Sequence, residues 1–258
     1  KKLADFRKVF PGYKPDWSKI QLTAGHPLTW TDYLKHEEVL LNTISSAEGS
    51  ILDRLRSCSD YLVEQVNKAT AAPSAATTTQ PSAGMGLNKL DRHILANFHK
   101  MYLPAKGRKI NEKGLNSFKF WFGVIFNTST VFGLAQNFYA IDQLKEFPFP
   151  DDKEIDGILT RYVYTHVFGK KYFGPGFGGL TVITGFHHLI MVVALARLHA
   201  RAVAKVRQAP VVSLLDVLAT VRMLETQLGE TMFSQASTNT VELLLQSGQR
   251  AKRFLSLA

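Results

Sequence analysis

Cysteine is nearly missing from this chain. Across 258 residues there is one, Cys58, which excludes an intramolecular disulfide and any metal site that needs two or more thiolates of this chain. The glycine-rich dinucleotide fingerprint, the phosphate-binding loop, the paired-histidine zinc-peptidase helix and the nucleophile elbow are also absent, so the common nucleotide, zinc-peptidase and esterase chemistries have no signature here. No segment reads as a strand, and no motif recurs at a fixed period. No signal-peptide pattern follows Lys1, and a first residue other than Met reads as a processed or truncated start. Acidic residues are few: 21 Asp and Glu stand against 31 Lys and Arg, a formal charge of +10. That excess favours anionic partners and says nothing about fold.

What is present is apolar and periodic. The composition is 45% hydrophobic and 11% aromatic, which excludes wholesale disorder and lets a chain of this length bury a full core. Residues 1–27 carry Pro11, Pro15 and Pro27 among scattered aromatics and read as an extended arm. From Leu28 apolar residues step at three and four positions, with Thr29 or Thr31 as N-cap, and a second amphipathic run follows the Glu48-Gly49-Ser50 break. Residues 28–68 are therefore expected as an antiparallel helical hairpin, with Cys58 a small hydrophobe on its apolar face. Residues 69–86, uncharged and rich in Ala, Thr, Ser and Pro, have the composition of a flexible linker. Residues 87–258 are expected as a helical bundle, with helices over about 87–102, 180–206, 214–228 and 241–257. The fold class is all-α.

Two uncharged runs, Phe120–Ile141 and Tyr172–Ala196, reach the roughly 20 residues that span a bilayer. Asn127, Gln136 and Asn137 in the first, and Pro175, five glycines and His187-His188 in the second, would be costly against lipid. Buried helices are the preferred expectation for both, with membrane insertion the competing one.

Candidate chemistry is sparse. Gly174-Pro-Gly176-Phe-Gly178-Gly179 leads into a helix just after Lys170 and Lys171; free amides at such a helix start can cradle a phosphate or a cofactor carboxylate, and a tight turn that packs aromatics is the alternative. Arg161 and Tyr164 share a helical face upstream of that turn and could line a pocket. Arg197, Arg201, Lys205 and Arg207 form a basic helical stripe, a solvated face or a partner surface. His187 and His188 diverge by about 100° on a helix and cannot share one metal. They read as core histidines, with axial ligation of a tetrapyrrole the remote alternative.

The order FPFPDDKEIDGILTRYVYTHVFGKKYFGPGFGGLTVITGFHHLIMVVALARLHARAV, followed by LLDVLATVRMLETQLGETMF, resembles the C-terminal helical part of the bacterial cysteine-cluster proteins related to flagellin lysine N-methylase. Residues 28–62 are similar to the helix pair that follows the cysteine cluster there. The resemblance covers about half of the chain, and the FGPGFGG turn is its most specific motif. It implies an iron-sulfur cluster or another metal on N-terminal cysteines, S-adenosylmethionine as methyl donor and a setting in the bacterial cytoplasm or at its membrane surface. With Cys58 alone, this chain is expected to hold no cofactor by itself. Gly229-Glu230-Thr231 replaces the family's Gly-His-Ser, so no role of that histidine carries over.

The expected function is the helical body of such a protein, a scaffold or substrate-holding domain whose cluster segment either precedes Lys1 or has been lost. The alternatives are a non-catalytic assembly subunit of a larger, membrane-associated complex and a membrane-embedded subunit holding a tetrapyrrole on His187 or His188. A protein partner is expected at the arm and the basic helix. An anionic ligand and membrane association stay open, and nucleic acid is not expected.

Overall fold

The computed structural model describes residues 17–70, 87–103, 131–134, 137–230 and 235–257. Most of the first uncharged run and residues 71–86 of the expected linker lie outside them. The architecture is mostly helical, with nine α-helices among the described residues and four short strands.

The helices start where the side chains supply caps. α1 (Trp30–Ser45) begins at Thr29, whose hydroxyl accepts from the Asp32 backbone N–H at 3.1 Å. α2 (Ile51–Thr70) follows a turn in which Gly49 adopts φ +68°. α3 (Lys89–Tyr102) opens with a reciprocal capping box between Asn88 and Asp91. α4 (Ile141–Lys145) is a single short helix, and α5 (Lys153–Phe168) is capped by Asp152, which accepts from the Glu154 N–H at 2.7 Å. α6 (Val182–Val206), α7 (Leu214–Glu230), α8 (Gln235–Leu245) and α9 (Gly248–Leu255) complete the set. These caps satisfy amides that the first turn of a helix leaves without partners.

α6 is the axis of the molecule. Of its 25 residues, 21 are buried, including Thr184, His187, His188, His199 and Arg201. It touches α2, α3, α4, α7, α8 and α9. That enclosure explains why its sequence is apolar all round rather than along one stripe. No described helix is long and apolar enough to cross a membrane.

The expected hairpin α1–α2 shares one hydrophobic core with the rest. Leu40, Ile44, Ile51, Leu55, Cys58 and Leu62 join Leu159, Val163, Phe186 and Ile190 in a single buried cluster. Arg54 fastens it further. Its guanidinium donates to the carbonyls of Ile44 (2.7 Å) and Ser46 (2.9 Å) at the end of α1, to Thr160 Oγ (3.0 Å) and to the Asp156 carboxylate. Asp156 accepts in turn from the first amide of α2, Ile51, at 2.7 Å.

Three local readings give way to the structure. The described end of the expected arm is a small antiparallel hairpin, β1 (Gln21–Thr23) with β2 (His26–Pro27), preceded by a short 3-10 turn. Ile20 and Leu22 are buried there, and Trp17 lies against Trp30 and Phe173 with ring centroids 5.1 and 5.8 Å apart. The described part of the first uncharged run forms an antiparallel strand pair, β3 (Val131–Leu134) with β4 (Asn137–Ala140), rather than a helix. The single last helix is two, because the chain leaves the helical path between Leu245 and Gly248 and α9 turns its arginines toward α3.

Candidate functional site

The turn after α5 is a crossing point of backbones. A Cβ at Gly176 would stand 1.8 Å from the Lys170 carbonyl oxygen, and one at Gly185 would stand 1.9 Å from the Tyr172 carbonyl oxygen. Only glycine permits contacts that close. The turn's amides are used internally: Gly174 N–H donates to Leu180 O at 2.8 Å, Gly179 N–H to Gly174 O at 2.9 Å, and Phe177 N–H to Gly174 O at 3.1 Å. Gly178 offers its carbonyl to Thr238 Oγ at 2.6 Å.

The start of α6 already holds an anion, and it is the chain's own. Glu242 of α8 accepts from the Thr181 backbone N–H (2.5 Å), the Thr181 hydroxyl (3.0 Å) and the Thr184 hydroxyl (2.7 Å). A carboxylate at a helix N-terminus is favoured by the unpaired amides and by the helix dipole. The position expected for a phosphate or cofactor carboxylate is therefore filled by a side chain 58 to 61 residues away in sequence.

The adjacent histidines His187 and His188 of α6 are locked into the core against different partners. His187 Nδ1–H donates to the Leu245 carbonyl at 2.8 Å, so its Nε2 is the acceptor of the Ser59 hydroxyl at 3.0 Å. His188 Nε2 meets the Tyr102 hydroxyl at 2.8 Å, with Phe177 4.9 Å away and Phe98 5.9 Å away, centroid to centroid. Burial pushes His187 down to about 4 and His188 to about 3, where the nearby His166 adds to the effect. Further along α6, His199 Nδ1 lies 3.0 Å from His99 Nε2 of α3, and burial depresses both. Tyr162, whose ring lies 4.4 Å from that of His166, buries its Oη without a hydrogen-bond partner among the described residues.

The basic stripe turns inward. Arg201 is 5% exposed and donates to the carbonyls of Phe147 (3.2 Å) and Leu257 (3.1 Å). Arg197 lies over the Phe149 ring at 3.7 Å, and burial lowers its guanidinium to about 9. Lys205 sits 5.3 Å over Tyr139, and Arg207 pairs with Asp216 at 2.6 Å. Buried Arg201 and half-buried Arg197 thus form a ladder over Phe149.

Tyr164 and Lys170 both meet Phe168, which spacing alone did not single out, and Arg161 is not brought into contact with them. α1 and α5 run side by side, antiparallel, since Ile44 and Asp156 meet Arg54 at one end and Trp30 and Phe168 meet Lys170 at the other. Tyr164 and Phe168 stack at 6.2 Å and 13° along the exposed side of α5, one turn from exposed Arg161. The Lys170 ammonium lies 5.2 Å over Phe168 and 5.9 Å over Trp30. It donates to Glu37 Oε1 at 2.9 Å and to Phe168 O at 3.0 Å. The other Glu37 oxygen accepts from the buried Tyr33 hydroxyl at 2.7 Å. Lys171 is exposed beside this corner. The signal that would have found the partners is the i, i+4 pair Tyr33 and Glu37, a carboxylate on the apolar face of α1.

No group of three or more His, Cys, Asp or Glu able to hold a metal occurs among the described residues. Cys58 does not fit as a cluster ligand: its thiol faces the Leu40 carbonyl at 3.8 Å, and burial pushes it up to about 12. A ligand must be a thiolate, which this environment opposes.

Comparison with family models, with curated proteins and with solved structures finds no match for this chain.

Proposed function

We propose that the chain is a helical scaffold that holds another protein, the body expected of a cysteine-cluster, lysine N-methylase-like protein rather than the seat of its chemistry. The observation that carries this reading is the use made of buried charge. Arg54, Asp91 and Arg201 are each 8% exposed or less, and each ties together elements far apart in sequence. Asp91 alone receives Arg250 at 3.0 Å and Arg253 at 2.5 Å from α9. A charge committed to such a joint rigidifies the fold and is not free to act as acid, base or nucleophile.

A second reading, a structural subunit of a larger assembly, is favoured by large apolar side chains on the outside: Leu215 at 73% exposure, and Leu243 and Phe168 at 59%. Both readings expect the intact chain in native extract to elute with a partner, at a mass well above 28.8 kDa. Both also expect no saturable heat on titration with S-adenosylmethionine. A lone 28.8 kDa species, or a stoichiometric S-adenosylmethionine isotherm, overturns the scaffold reading.

A further inference from the structure

The corner between α1 and α5 has the composition of a cation receptor. Two aromatic faces, Trp30 and Phe168, flank one point. A carboxylate that is 8% exposed, Glu37, and a backbone carbonyl, Phe168 O, converge on the same point. Ring faces attract a positive charge through their quadrupole, and a desolvated carboxylate strengthens the attraction. The Tyr33 hydroxyl holds the Glu37 carboxylate in place from behind.

What fills the point is Lys170. Its backbone has φ +54°, the left-handed conformation that ends α5: the Lys170 N–H donates to Val167 O at 3.0 Å and the Lys171 N–H to His166 O at 2.9 Å. Glycine or asparagine is therefore tolerated at this position. The lysine side chain is 20% exposed, so one side of the corner faces water. Trp30 and Phe168, at 37% and 59% exposure, form the rim.

We propose that this corner is a binding site for a methylated organic ammonium ion, with Lys170 as the occupant that the chain itself supplies. Methyl groups spread the positive charge over a surface that matches the two ring faces. One remaining N–H keeps the bond to Glu37. The Lys170 ammonium occupies the point between Glu37, Trp30 and Phe168, so a ligand and the lysine compete for one position. The inference is independent of the scaffold reading and stands or falls on binding alone.

The test is titration of the full chain with trimethylammonium chloride, followed by the Trp30 indole N–H resonance. Neutral tert-butanol serves as the shape control. Lys170→Gly, which suits the positive φ, should bind trimethylammonium about tenfold more tightly than wild type, and Glu37→Gln in that background should remove the gain. Equal binding by wild type and Lys170→Gly, or equal binding of tert-butanol, overturns the proposal. If Lys170→Gly melts out, Lys170→Asn tolerates the same backbone conformation and takes its place. Failure of both variants to fold makes the lysine an indispensable strut and overturns the proposal as well.

Discussion

The Glu242 carboxylate accepts the Thr181 backbone N–H at 2.5 Å, so the first turn of the central helix is closed by a residue two helices further along the chain. One contact joins the glycine turn, the core helix and the C-terminal part of the fold. It also explains why a helix start with anion-binding character needs no outside ligand.

Replacing that anion should make the helix start receptive. Glu242→Ala is expected to lose about 1–3 kcal/mol of stability, since it leaves an amide and two hydroxyls without their acceptor. Sulfate should then raise the melting temperature of the variant more than that of wild type. An equal sulfate response in the two proteins would count against the assignment.

Asp91 is fully buried between Arg250 and Arg253. Asp91→Asn keeps the size and removes the charge, leaving two guanidinium groups facing a neutral amide. The expected loss is about 3–5 kcal/mol, because a buried charge without its counterion is costlier than none at all. Urea unfolding measures it, and a loss under about 1 kcal/mol would show that water reaches the joint.

The buried histidines set an acid limit. His187 and His199 fall to about 4 and His188 to about 3, chiefly through burial, and His99 is depressed by the same cause. In the unfolded chain each titrates near 6.5. The unfolded state therefore binds protons that the folded state refuses, and stability is complete above about pH 6.5 and falls as the pH drops from there toward about 4. Urea midpoints at pH 7.5, 6 and 5 should decline in that order. A flat profile would mean that these rings are hydrated.

Two glycines separate a steric role from a conformational one. Gly176→Ala drives a methyl into the Lys170 carbonyl and should lose about 3 kcal/mol or more. Gly25→Ala has φ +79° and open space around it, so it should lose only about 1–2 kcal/mol. Thermal melts of the pair decide it. Similar losses would show that the close crossing at Gly176 relaxes easily.

Tyr162 and Tyr172 bury hydroxyls that find no hydrogen-bond partner among the described residues, and the Tyr162 hydroxyl is expected to be dispensable. Tyr162→Phe should leave stability unchanged or raise it by about 1 kcal/mol, because it removes an unpaired buried polar group. Tyr33→Phe should lower stability by about 1–2 kcal/mol, since Tyr33 Oη donates to the nearly buried Glu37 carboxylate. The reverse order in chemical denaturation would place a bound water on Tyr162.

The sequence by itself determined the helices, because apolar spacing and N-caps are local. Thr29 before α1, the break at Gly49 and the all-round apolar run of α6 are each readable within a few residues. It also marked the glycine turn as special and His187 and His188 as core residues. Only the tertiary structure decided where the charges go. Periodicity assigns Arg201 to a basic stripe, yet packing of 147–149 and of Leu257 against α6 turns that face inward. Glu242 reaches α6, Arg253 reaches Asp91 and Glu37 reaches Lys170 across 58 to 162 residues of sequence. The short strand pairs at 21–27 and at 131–134 with 137–140 likewise gain their burial from neighbours and not from their own alternation. Which buried polar group meets which is set by the pairing of helix faces, and no local pattern encodes that pairing.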